Sequence, residues 1–163
     1  MKTNGLRIVL SAILVVAVIL PAARTLAATD GERSKDDPVV GTWNCTLPEG
    51  STFGLSGQIN VIKSFHADGT ITEMDTAGPP STQTPTLGTW TRTGNRTYSV
   101  KLQQFLFDSS GNFLGTARYV HPTLTMNQTG NTLSGTVDGT FLDATTGTEY
   151  PIFTGLGLSC RRY

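Results

Sequence analysis

Charge of either sign is scarce in this chain, and so are the side chains that most often hold metals. Lysine and arginine together number 12, as do aspartate and glutamate, so the formal net charge is zero and charged residues make up only 15% of the sequence. A nucleic-acid-binding domain carries a clustered basic excess, and none is present. His66 and His121 are the two histidines, and the two cysteines lack CxxC spacing; together they do not make a structural metal site. No GxSxG, HExxH or phosphate-cradling glycine loop occurs, so the common catalytic and nucleotide signatures are missing. No cofactor is therefore expected.

One apolar run does occur, at the N-terminus. Lys2 and Arg7 precede it, Ile8 to Leu20 form it with a break at Ser11, and Pro21 ends it before the small residues of PAARTLAATD. This is the tripartite pattern of a secretory signal peptide. The run is shorter than the ~20 residues that a transmembrane helix needs. Cleavage after Ala27 puts Thr25 at the −3 position, with Ala23 and Ala28 as alternatives. The expected organisation is a cleaved signal helix over 1–27, a disordered polar arm over 28–38 and one folded domain over 39–163. The product would be secreted or periplasmic, with no membrane span once the signal is removed.

The rest of the sequence carries almost no helical period. Threonine and glycine abound, apolar residues alternate, and turn chemistry recurs at short intervals, which together indicate a meander of strands. The alternation predicts strands over 39–47, 57–65, 70–76, 86–92, 96–107, 112–126, 132–143 and 150–162. In HADGT, Ala67 and Asp68 suit a type I turn and Gly69 the left-handed position of a bulge. DSSGN at 108–112 repeats the arrangement with Gly111 in that role. Pro122 falls inside the sixth strand, where it requires a bulge or an exposed edge.

Side chains alternate faces along a strand. Cys45 therefore shares a face with Trp43 and Leu47 on the first strand, and Cys160 shares one with Ile152, Thr154, Leu156 and Leu158 on the last. In an oxidising compartment an even pair of cysteines suggests a disulfide; two free thiols, or half of a metal site, are the alternatives. A bond between them makes the first and last strands neighbours, which turns an antiparallel up-and-down meander into a closed barrel without edges. The expected fold is thus all-β, an eight-stranded barrel.

GTW at 41–43 opens the first strand, and Arg161 and Arg162 close the last. This resembles the lipocalin and wider calycin barrels, in which a Gly-x-Trp tryptophan plugs the closed end and an arginine packs across it. The resemblance implies those roles for Trp43 and, by strand parity, Arg162. The chain is similar over most of residues 40–160 to uncharacterised secreted bacterial lipocalin-like proteins, which share FHADGT, a second GTW, RTGNRTY and FDSSGNFLGTAR. It implies a fold and no particular activity.

Polar residues on the inner face are the candidates for chemistry. The HADGT turn sets Lys63 opposite Glu73 and Val61 opposite Asp75, so a lysine and a carboxylate would face each other inside. They would bind a polar or anionic ligand, serve as an acid–base pair, or form a purely structural ion pair. Tyr98, Val100, Leu102, Gln104 and Leu106 follow on the fifth strand; Leu114, Thr116, Arg118, Val120, Leu124 and Met126 follow on the sixth if no bulge intervenes. His121 would then face out, and His66 sits beside a tight turn in solvent. The leading expectation is a barrel binding a small hydrophobic or amphipathic ligand, with Leu102, Leu106, Leu124, Phe141 and Leu156 around it and Lys63, Glu73, Tyr98, Gln104 and Arg118 as polar contacts. The alternatives are a cofactor-free enzyme of the cyclase or isomerase type, or a packed interaction domain with an outward patch at Phe105 and Phe107.

Overall fold

The computed structural model describes residues 36–47 and 58–163. The expected signal peptide, and the polar arm as far as residue 35, lie outside the described residues. Eight strands follow in chain order: β1 (Gly41–Leu47), β2 (Ile59–Phe65), β3 (Thr70–Asp75), β4 (Thr86–Gly94), β5 (Thr97–Phe107), β6 (Phe113–Met126), β7 (Thr132–Asp143) and β8 (Glu149–Arg162). Each end lies within two residues of the boundary expected from sequence. Every strand pairs with its neighbours in sequence, and β8 pairs with β1, so the sheet closes. Closure satisfies the ladder groups that an open sheet would leave at its edges.

Cys45 and Cys160 stand directly opposite each other in the β1–β8 ladder and are bonded. The bond fits an oxidising compartment. The turns follow their sequence chemistry. Gly69 takes φ 83° and Gly111 φ 84°, the left-handed region that a side chain rarely adopts. Asp68 Oδ1 accepts from the Thr70 amide at 2.8 Å, which holds the β2–β3 turn and fixes the register behind it. Phe65 thereby faces Ile71, Lys63 faces Glu73 and Val61 faces Asp75.

The barrel has one packed end. Trp43, Phe65, Ile71, Trp90, Tyr98, Val100, Leu124 and Leu133 are buried there. Trp90 stands edge-on to Phe65 and to Tyr98, with ring centroids 6.1 and 5.9 Å apart. Such pairs add about 0.5–1.5 kcal/mol beyond the area they bury. The Trp43 indole donates to the Val39 carbonyl at 2.8 Å. The Arg162 guanidinium lies 4.3 Å from the centre of the Trp43 ring and donates to the carbonyls of Pro38, Val40 and Gly130. Arg162 thus ties β8, the β6–β7 turn and the chain entering β1 around one indole. Asp37, in the polar stretch before β1, is held as well: it accepts from the Tyr98 hydroxyl at 2.9 Å and pairs with Arg92 at 3.5 Å.

Two bulges decide which side chains reach the interior. The β6–β7 pairing slips between Val120 and Leu124, around Pro122, which has no N–H to give to a ladder. Leu124 and Met126 are buried beyond the slip; before it the inner face is Ala117, Tyr119 and His121. A single inserted residue exchanges the two faces. In β8 the pairing slips again beside Gly155 (φ 66°), which turns Phe153 inward and leaves Thr154 exposed.

Interior glycines admit neighbours and do not open space. A Cβ on Gly88 would come 1.9 Å from the Lys101 carbonyl oxygen, so only glycine permits that approach of β4 to β5. Gly139 is covered by the Phe153 ring, which stacks on Tyr119 across it with centroids 6.1 Å apart.

Candidate functional site

Beyond the packed half, the strands part around a cavity of about 320 Å³ that opens at the other end of the barrel. Its walls are largely apolar, with Leu47, Ile59, Leu106, Val137, Leu156 and Leu158 among them, and Tyr119 and Phe153 add the aromatic face. Sites for small organic molecules have this composition and this order of size.

The floor is polar. Lys63 on β2 is 1% exposed, and its ammonium is paired with the Glu73 carboxylate on β3. His121 reaches across from β6, a strand that does not pair with β2, and its Nε2 lies 3.1 Å from Lys63 Nζ. Its Nδ1 is 3.1 Å from the Thr136 carbonyl, which can only accept. Nδ1 therefore carries the proton, and Nε2 accepts from the lysine. Burial, and after it the Lys63 ammonium, push this imidazole down to about 3, so it is neutral at ordinary pH.

A second polar group stands on the wall. The Gln104 amide donates to the Thr84 carbonyl at 2.9 Å, and its oxygen accepts from the Tyr119 hydroxyl at 3.3 Å. Burial, then the charges of Asp75 and Glu73, raise the Tyr119 phenol well above its ordinary value, so it stays a neutral donor. Nearer the mouth, Asp75 Oδ1 accepts from the Ala77 amide at 2.8 Å and from the Gln83 side chain at 3.3 Å. Thr86, directly opposite Glu73, is fully buried with its hydroxyl unpartnered.

The residues singled out from sequence are thus divided. Lys63, Glu73 and Gln104 meet at the cavity, and Leu106 and Leu156 line it. Tyr98 faces inward but lies in the packed end, bonded to Asp37, and does not border the cavity. Leu102 and Leu124 are likewise buried in packed core, and Phe141 packs with Ala117 and Ile152. Arg118 is not inside. It points outward and pairs with Glu149 at 3.3 Å, with nearly half of its side chain exposed. His121, expected on the outer face, is 1% exposed. Both corrections have one cause, the bulge at Pro122, which shifts parity from His121 back to Gly115; a second slip between Gly115 and Phe113 returns Leu114, expected inside, to the cavity wall. Tyr119 was missed for the same reason, and Phe153 because of the slip at Gly155. The proline was a visible signal for the first; Gly155 in the run TGLGL was a weaker one for the second. His66 is exposed and bonded to the Thr72 hydroxyl at 2.8 Å.

Among the described residues, no three His, Cys, Asp or Glu side chains converge as a metal-binding group. Comparison with protein-family models, with curated proteins and with solved structures finds no match to this chain.

Proposed function

We propose that this protein is an exported, lipocalin-like binding barrel that carries one small, largely apolar molecule in its cavity. The observation that carries the reading is the division of the interior. One half is filled by aromatic and aliphatic side chains, while the other keeps about 320 Å³ open behind an apolar wall with a few fixed polar groups. A domain evolved only for stability gains nothing from leaving this apolar wall unpacked, because covering apolar surface contributes about 25 cal/mol per Å². Export is supported by the N-terminal signal pattern and by the Cys45–Cys160 bond. The Trp43–Arg162 stack supports the lipocalin-like reading.

Acid–base catalysis of the cyclase or isomerase type is the second reading, and the Lys63, Glu73 and His121 cluster is what favours it. The hydrogen bonds weigh against it. Both His121 nitrogens are engaged, one by Lys63 and one by a backbone carbonyl, and Lys63 is held by two partners. The His121 imidazole, held down to about 3, is a poor base near neutral pH, so the cluster orients a ligand and rigidifies a floor.

Native mass spectrometry of the protein purified from its own host tests the binding reading. A single low-mass adduct at one per chain, lost on denaturation, is the expected result. Only the bare chain mass, in protein that also takes up no added apolar probe, would overturn it.

A further inference from the structure

Charge inside the cavity is unevenly balanced, and the imbalance specifies the ligand more closely than shape does. Three ionised side chains border the space: Lys63, Glu73 and Asp75. Lys63 and Glu73 neutralise each other as a buried pair. Asp75 has hydrogen bonds from the Ala77 amide and the Gln83 side chain, but among the described residues no lysine or arginine pairs with it. The arginine that would have offset it, Arg118, lies on the outer surface with Glu149. His121 and Tyr119 contribute no charge. The interior therefore holds one net negative charge, half-buried near the mouth and above apolar walls.

We propose that the ligand is an organic cation, a hydrophobic amine or quaternary ammonium whose charge is met by Asp75 while its apolar body fills the space between Leu47, Ile59, Val137, Leu156 and Leu158. The inference rests on the binding reading above and names its ligand class. An anionic amphiphile such as a fatty acid would bring its carboxylate toward Asp75 without a free cation to receive it, and so is selected against.

Three probes with the same eight-carbon chain separate the possibilities by calorimetric titration at neutral pH: octyltrimethylammonium, 1-octanol and octanoate. The expected order of affinity is cation, then alcohol, then anion, with about tenfold or more between the first and last. Asp75→Asn keeps the acceptor for Ala77 and Gln83 but removes the charge. It should bring cation and anion to within about threefold of each other, in a variant whose far-UV circular dichroism and thermal transition certify that it is folded. Asp75→Glu should restore the preference. Octanoate binding as tightly as the cation, or a cation preference that survives Asp75→Asn, would overturn the ligand class while leaving the cavity reading intact. Failure of all three probes would overturn the cavity reading itself and this inference with it.

Discussion

Acidification is the perturbation that most sharply tests the polar floor. In the unfolded chain the His121 imidazole titrates near 6.5; in the folded barrel burial and Lys63 hold it down to about 3. The folded value is the lower one, so on acidification the unfolded chain takes up this proton first. Stability contributed by neutral His121 is therefore complete above about pH 6.5 and is lost as pH falls toward the folded value. The loss approaches about 1.4 kcal/mol per pH unit below pH 6.5, which makes about 2 kcal/mol between pH 6.5 and 4.5. That is a large part of the 5–15 kcal/mol typical of a domain. The assay is urea unfolding of the disulfide-bonded protein, followed by fluorescence of the buried Trp43 and Trp90, at intervals from pH 7.5 to 4.5. Carboxylates titrate in the lower part of this range, so the decisive quantity is the difference between the parent and His121→Gln. The variant should show a shallower slope by nearly one proton. Equal slopes for the parent and His121→Gln, or an imidazole signal for His121 that titrates near 6.5, would refute the reasoning.

Other consequences follow from the same geometry. Glu73→Ala strands the Lys63 ammonium at a site that is 1% exposed and should cost about 3–5 kcal/mol, read as a fall in Tm. The Lys63→Met, Glu73→Leu double variant should recover much of that loss, and a double variant worse than the single would contradict the pairing. Reduction of the Cys45–Cys160 bond, which spans 115 residues, should lower stability by about 4–5 kcal/mol in the chain-entropy account. Urea midpoints with and without reductant measure this, and an unchanged midpoint would show that the bond does not constrain the chain.

The fold was legible because its determinants are local. Turn residues such as Asp68 and Gly69 set a register that needed no tertiary information, and through it the Lys63–Glu73 pairing. Parity did the rest on β1, β2, β3 and β5, where strands run without interruption. The site was only partly legible, because it depends on two places where parity breaks. Pro122 marked a break in β6, but the break matters only when the residues from Gly115 to His121 are moved to the other face. That move exchanges Arg118 for Tyr119 and His121 and changes the inner formal charge from balanced to net negative. The division of the barrel into a filled and an open half depended on contacts between non-adjacent strands, such as His121 with Lys63. No sequence period reports these.

The central claim, that the open half of the barrel receives an apolar ligand, is tested most directly by calorimetric titration of 1-octanol into the parent protein and into Leu156→Trp. Leu156 is half-buried on the cavity wall, and an indole there should fill the space while the packed end keeps the barrel folded. The account predicts saturable binding at one molecule per chain in the parent and its loss in a variant with a native-like thermal transition. No saturable heat in the parent, or binding unchanged in Leu156→Trp, would contradict it.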